Sequence, residues 1–223
     1  MWTRGRTELL SGALSDRVTL TGARAATAYG EHVAAELASD LASAGRVIVA
    51  GGAYGIEGSA HRAALACGGG TIAVLASGLD RLYPAGHSSL LDRIGTHGLL
   101  VSEQPPGTAP TRQRFLLRAR IVAALSAASV IVEAGARSGS LRVADEALQL
   151  GRAIGAVPGP ITSAASAGPH LLLQDQRAYV ITDATDVIRL LDDEPTSRPS
   201  TRVLQVAPDR PLMRSVESHG HSL

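Results

Sequence analysis

Short runs rich in β-branched residues alternate with longer Ala- and Leu-rich stretches of helical period along most of this 223-residue chain. Parallel strands need a crossover between them, usually a helix, so the alternation predicts an α/β fold, a doubly wound, mostly parallel sheet with helices on both faces. The expected strands are Arg17 to Thr21, Val47 to Ala50, Thr71 to Leu75, Leu99 to Ser102, Val130 to Glu133, Ile154 to Val157 and Ala178 to Ile181. Helices are expected over Tyr29 to Ala44, Ile56 to Cys67, Ser88 to Thr96, Arg114 to Ala127, Leu141 to Leu150 and Asp183 to Leu191. This order is Rossmann-like, and in such sheets ligands bind beyond the carboxyl ends of the strands where the strand order reverses.

Three loops expected at that edge are rich in small residues: Gly22-Ala23-Arg24, Gly51-Gly52-Ala53-Tyr54-Gly55, and Glu133 to Ser140. Glycine lets the backbone approach a ligand closely, and the helix that follows each loop begins with unpaired N–H donors. Together the loops outline one cradle. The glycine spacing does not match the GxGxxG pattern of dinucleotide folds, and no acid ends the next strand to hold a ribose hydroxyl, so no NAD and no other cofactor is expected.

The sharpest chemical signal lies between Arg112 and Ser140. Arg112, Arg114, Arg118 and Arg120 come without an acid among them and are followed by an apolar strand and the turn containing Arg137, Ser138, Gly139 and Ser140. Guanidinium forks and exposed backbone amides make an anion site, and phosphate is the best candidate. Arg114 and Arg118 share a helix face, while Leu117, Ile121, Ala124 and Leu125 supply an apolar one, so the arginines are expected to face outward. Phe115, the single phenylalanine, either stacks a base or packs in the core.

All 21 basic residues are arginine, which excludes Schiff-base lysines and the phosphate-binding lysine of a P-loop. A net charge of +1 does not by itself announce a nucleic-acid binder, so any basic surface must come from local clustering. With aromatics at 3%, repeated base stacking is not expected as the main binding mode. The single cysteine, Cys67, rules out an internal disulfide and a thiolate metal cluster, and the histidines show no metal-ligand spacing. No apolar run reaches membrane-spanning length and the apolar stretch near the N-terminus is too short for a signal peptide, so a cytoplasmic protein without membrane contact is expected. His61 reads as structural, Tyr83-Pro84 as a turn and His87 as a cap or surface residue, none with assigned chemistry. Residues 1–191 are expected to form the folded domain, and 192–223, with His219 and His221, a disordered tail.

Several blocks resemble the DNA-processing protein A family, also called Smf. They are Thr21-Gly22-Ala23-Arg24 with Thr27 and Tyr29-Gly30, Gly51-Gly52-Ala53 with Gly55-Ile56 and Ala60-His61-Arg62, and Gly78-Leu79-Asp80 with Tyr83-Pro84. Thr71 to Leu75, Ser102-Glu103 with Pro105-Pro106-Gly107, Phe115-x-x-Arg118-x-Arg120-Ile121, Val132-Glu133-Ala134-Gly135 with Arg137-Ser138-Gly139-Ser140-Leu141, and Gly151-Arg152 with Ala156 to Pro160 complete the set. The resemblance runs collinearly from about Trp2 to Leu191. It implies an extended Rossmann domain that binds single-stranded DNA, usually as a homodimer, and helps load the RecA recombinase in natural transformation, without catalysis. By matching position it implies Gly22, Ala23, Arg24, Arg114, Phe115, Arg118 and Arg120 as the leading DNA-binding residues, joined by the turn of Arg137, Ser138, Gly139 and Ser140; Thr27, Gly51 and Gly52 complete the expected DNA- and phosphate-binding set.

The chain departs from the family pattern at Leu116 for proline, Ala119 for asparagine, Glu57 for aspartate and Val143 for threonine, and family lysines near the DNA are missing. These departures point to altered DNA affinity. An enzymatic alternative is a LOG-type nucleotide phosphoribohydrolase, whose phosphate loop aligns with Gly135 to Ser140. Its catalytic glutamate falls on Val143, which cannot move a proton. A third reading is a dimeric scaffold that does not bind DNA, which ion pairs on Arg24, Arg114 and Arg118 would support.

Overall fold

The computed structural model describes residues 1–192. Fifteen elements carry the fold: β1 (Trp2–Gly5), β2 (Arg17–Thr21), α1 (Ala28–Ser43), β3 (Val47–Gly51), α2 (Ile56–Ala66), β4 (Thr71–Leu75), α3 (Ser88–His97), β5 (Leu99–Ser102), α4 (Arg112–Ala124), β6 (Ala128–Ile131), α5 (Leu141–Gln149), β7 (Ala153–Ala156), α6 (Ala167–Gln174), β8 (Tyr179–Val180) and α7 (Ala184–Asp192). They build one eight-stranded sheet in the order β1-β5-β4-β3-β2-β6-β7-β8. Every neighbouring pair is parallel except β1 with β5. The order runs outward from β2 in both directions, so the reversal falls between β2 and β6, and a crevice opens there at the carboxyl edge.

Side-chain alternation along β2 shows how the two faces are covered. Val18 and Leu20, both fully buried, join a cluster with Leu37, Leu41, Ile56 and Val187 from α1, α2 and α7. Thr19 points the other way, its hydroxyl within reach of the Val122 carbonyl at 3.1 Å and the Ser126 hydroxyl at 2.8 Å on the α4 side. There Val122, Val143, Ala144 and Leu172 from α4, α5 and α6 pack on Val49, Ile131 and Ile154. Each large aliphatic side chain buried in these clusters contributes on the order of 1.5–3 kcal/mol.

The strand and helix expectations agree with the structure apart from end shifts of one to three residues. Two elements were not expected. All four residues of β1 are exposed, so no apolar alternation marks it; its antiparallel register on β5 and the ion pair of Arg4 with Asp92 of α3 at 2.8 Å hold it. The short helix α6 carries Gly168 and Pro169 near its start, residues that read as loop until the buried Leu172 is seen docking on the sheet.

Of the apolar face expected on α4, Ile121 is buried and Leu125 packs against the core, but the other two residues are not part of it. Leu117 and Ala124 are exposed, and the buried stripe is Ala119, Ile121, Val122 and Ala123. Asp192, the last described residue, still belongs to α7, and its carboxylate accepts from Arg46 Nη2 at 2.8 and 3.1 Å. The remainder of the expected tail, residues 193–223 with His219 and His221, lies outside the described residues. No helix among the described residues is long and apolar enough to cross a membrane.

Candidate nucleic-acid interface

The crevice between β2 and β6 is a cleft of about 780 Å³. Loops after β2, β3, β4 and β6 and the start of α4 all face it, which is how the topology assembles residues far apart in sequence. Of the residues expected at a phosphate site, Gly22, Ala23, Arg24, Phe115, Arg118, Arg137, Ser138, Gly139 and Ser140 line it. Arg112, in the arginine cluster but not among the expected contacts, lines it too, as do Tyr83, Glu57, Thr111 and Val143.

The other expected contacts do different work. Thr27 is the N-cap of α1, its hydroxyl accepting from Gly30 N at 3.2 Å. It is also clamped by the buried Glu133, which accepts from Thr27 N at 2.9 Å and from Thr27 Oγ1 at 2.6 Å. Any side chain at Gly30 would strike Glu133 Oε2, a Cβ there lying 2.2 Å away, so the glycine makes room for the clamp. Gly52 packs against Leu75 and Leu91. Arg114 Nη1 donates to the Ala109 carbonyl and orders the loop before α4. Arg120 is ion-paired with Glu103.

Arg118 corrects the outward-facing expectation. Its guanidinium lies on Gly51, where a Cβ would sit 2.3 Å from Nη1 and Nη2, so this glycine accommodates the arginine rather than a ligand. Nη1 donates to the Val74 carbonyl at 3.2 Å and Nη2 stands 3.7 Å from Glu57 Oε1, leaving Nε as its buried donor without an acceptor. Glu57 also accepts from Thr21 Oγ1 at 2.9 Å and from Ala53 N at 3.0 Å. Burial alone raises the Glu57 pKa, but the Arg118 charge and these two hydrogen bonds outweigh it and hold the carboxyl below its ordinary value. The floor of the cleft is therefore a nearly neutral ion pair.

His61 supports that floor from below. Its Nε2 is 2.8 Å from the Gly51 carbonyl, which only accepts, so Nε2 carries the proton, and Nδ1 is 2.7 Å from Thr71 Oγ1. Burial, partly opposed by the Gly51 carbonyl and the Glu57 charge, lowers its pKa to about 4. His87 is buried, not a surface residue, with Nδ1 at 3.3 Å from the Gly52 carbonyl and its ring edge-on to Tyr54 at 4.5 Å.

Backbone amides contribute less than the sequence suggests. Ala23 N donates to Glu133 O at 2.7 Å, Ile56 N to Ala23 O at 3.2 Å, and Ala53 N is taken by Glu57. Gly55 enables the second of these contacts: it has φ +69°, and a Cβ there would lie 2.3 Å from Ala23 O. In the turn before α5, Ser138 N bonds to Gly135 O, while Arg137 N and Gly139 N find no acceptor among the described residues. Positive charge at the cleft therefore comes mainly from side chains on its rim. Arg24, Arg112 and Arg137 are exposed there, and none has a carboxylate partner among the described residues. Arg24 is positioned by Phe115, its guanidinium carbon 4.7 Å from the ring centroid.

Asp145 and Glu146, the carboxylates nearest Val143 in sequence, are paired with Arg177 and Arg142. Glu57, the one carboxylate lining the cleft among the described residues, stands 36 residues from Thr21 in sequence, and its location beside the arginines had no local signal.

The family model described as DNA recombination-mediator protein A matches residues 1–192. A putative DNA processing protein DprA from Mycobacterium tuberculosis strain H37Rv is 51% identical over 208 residues, covering 90% of this chain and 53% of that protein. The chain thus spans about half the length of that relative. The X-ray structure of DNA processing protein A from Streptococcus pneumoniae superimposes with a TM-score of 0.79 at 38% identity, covering 83% of this chain and 64% of that one. A DNA processing protein A from Helicobacter pylori, described for its single-stranded DNA binding mode, superimposes with a TM-score of 0.77 at 32% identity and 85% coverage of both chains.

Proposed function

The chain belongs to the DNA recombination-mediator protein A family, and from that premise we propose that its cleft captures the phosphates of single-stranded DNA, without catalysis. The observation that carries this reading is the set of Arg24, Arg112 and Arg137 around a cleft at the strand-order reversal, each without an acidic partner among the described residues. Guanidinium groups on a neutral floor attract a polyanion while leaving the deep end of the cleft uncharged. The chain protects the bound strand and assists loading of RecA, acting as a cytoplasmic homodimer in DNA uptake and transformation. The relative from Helicobacter pylori, described for its single-stranded DNA binding mode, supports the choice of strand.

Fluorescence-anisotropy titration of single- and double-stranded oligonucleotides at two salt concentrations tests the proposal. Strand-selective binding that weakens with salt is expected. Equal affinity for both forms, or release of base from a nucleoside monophosphate in a parallel assay, overturns it.

A further inference from the structure

We infer that Tyr83 is a nucleobase-stacking contact, an aromatic platform that the loop after β4 supplies to the cleft. The inference rests on the strand-binding reading above and extends it from phosphates to a base. The chain has one Trp, four Tyr and one Phe, and two of these six rings stand side by side here. Tyr83 and Phe115 both line the cleft, their centroids 5.8 Å apart and their planes inclined by 56°.

The two rings are differently occupied. Phe115 is half-buried, and two guanidinium carbons crowd it, Arg24 at 4.7 Å and Arg118 at 5.5 Å from the centroid. It serves as a post that aims Arg24, and its π surface is engaged by cations. Tyr83 is 45% exposed, and its hydroxyl has no hydrogen-bond partner among the described residues. An apolar ring held half in water beside phosphate-ready arginines is suited to a flat partner that carries phosphates on both sides.

The loop that presents this ring is pinned. Ser77 Oγ donates to the Arg81 carbonyl at 2.8 Å, His87 N donates to the Pro84 carbonyl at 2.9 Å, and Leu79 and Leu82 pack on the cluster formed by Leu75, Leu90 and Leu91. A platform held in place before binding loses little entropy when a base arrives. Stacking also supplies what the arginines do not: it requires an unpaired base, so it favours single strands over duplex, and it is tolerant of sequence.

The test uses a thymidine oligonucleotide and an equally long oligonucleotide of abasic residues, which keeps the phosphates and removes the bases. Wild type, Tyr83→Leu and Tyr83→Phe are titrated with each by anisotropy. Tyr83→Leu is expected to weaken thymidine binding by about tenfold or more while leaving abasic binding and the salt slope unchanged, and Tyr83→Phe to bind as wild type does. Photocrosslinking of the wild-type protein to an oligonucleotide carrying 5-iododeoxyuridine is expected to give an adduct on Tyr83. Equal losses on both probes, no loss on either, or crosslinks confined to other residues overturn the inference. Wild type that binds neither probe overturns the strand-binding reading itself, which is a different result from strong binding indifferent to Tyr83.

Discussion

Arg118 Nη2 stands 3.7 Å from Glu57 Oε1 beneath the cleft, with 11% and 5% of the two side chains exposed. A pair this far from solvent behaves differently from the exposed arginines that line the same cleft. Its charges largely cancel, and each partner depends on the other to remain buried.

Arg118→Ala is therefore expected to act on stability first, by leaving Glu57 as an uncompensated buried carboxylate. The loss is about 3–5 kcal/mol, read from urea unfolding, with little change in the salt dependence of DNA binding. A variant as stable as wild type that loses a phosphate contact contradicts this assignment.

Rim arginines are expected to behave in the opposite way. Arg24→Ala, Arg112→Ala and Arg137→Ala should each leave stability within about 0.5 kcal/mol of wild type. Each should flatten the slope of log K against log salt by about 0.7 on single strands. Arg120→Ala, whose partner is Glu103, serves as the matched control and is expected to leave the slope unchanged. Anisotropy titrations between low and moderate salt decide between these outcomes.

Thr27 joins α1 to the end of β6 through Glu133, so its hydroxyl serves as both cap and clamp. Thr27→Ala is expected to cost about 1–2 kcal/mol by removing the cap and leaving Glu133 short of a donor. Thr27→Ser should recover most of that loss. Equal destabilisation by both variants in chemical denaturation would assign the effect to the methyl group instead.

Acid should destabilise the fold in a defined window. His61 has a folded pKa of about 4 against an ordinary 6.5, and that of His87 is lowered too, chiefly by burial. Between those limits the unfolded chain binds the protons more readily, so stability present above pH 6.5 is lost as pH falls toward 4. The carboxyl of Glu57, lowered from 4.5, adds a further loss at the acid end as it takes up a proton. Thermal melts at pH 7.5, 6 and 5 should show a falling Tm, and a flat series would contradict these assignments.

Much of the architecture was legible locally because strand and helix periods are local properties. The runs Arg17 to Thr21 and Thr71 to Leu75 are rich in β-branched residues and buried throughout, and both strands occupy those residues in the structure. β1 is not legible because an exposed edge strand carries no apolar pattern, and α6 is not because Gly168-Pro169 breaks helical composition although its docking surface does not. At the site, the loop glycines and the arginine run were visible as residue types, but their roles were not. Gly51 reads as a ligand-facing glycine until Arg118 is seen lying on it.

What the sequence determined by itself was the order of the strands and helices apart from β1 and α6, the sheet edge where the glycine-rich loops gather, and the supply of guanidinium groups without lysine. Only the tertiary structure decided which arginines are available, because availability depends on partners such as Glu57 and Glu103, brought in from other elements by the crossovers of the sheet. The same packing brought Tyr83 beside Phe115, two residues separated by a strand and a helix. Periodicity records which face of an element meets the core, but pairing between distant side chains is fixed only when the sheet closes around them.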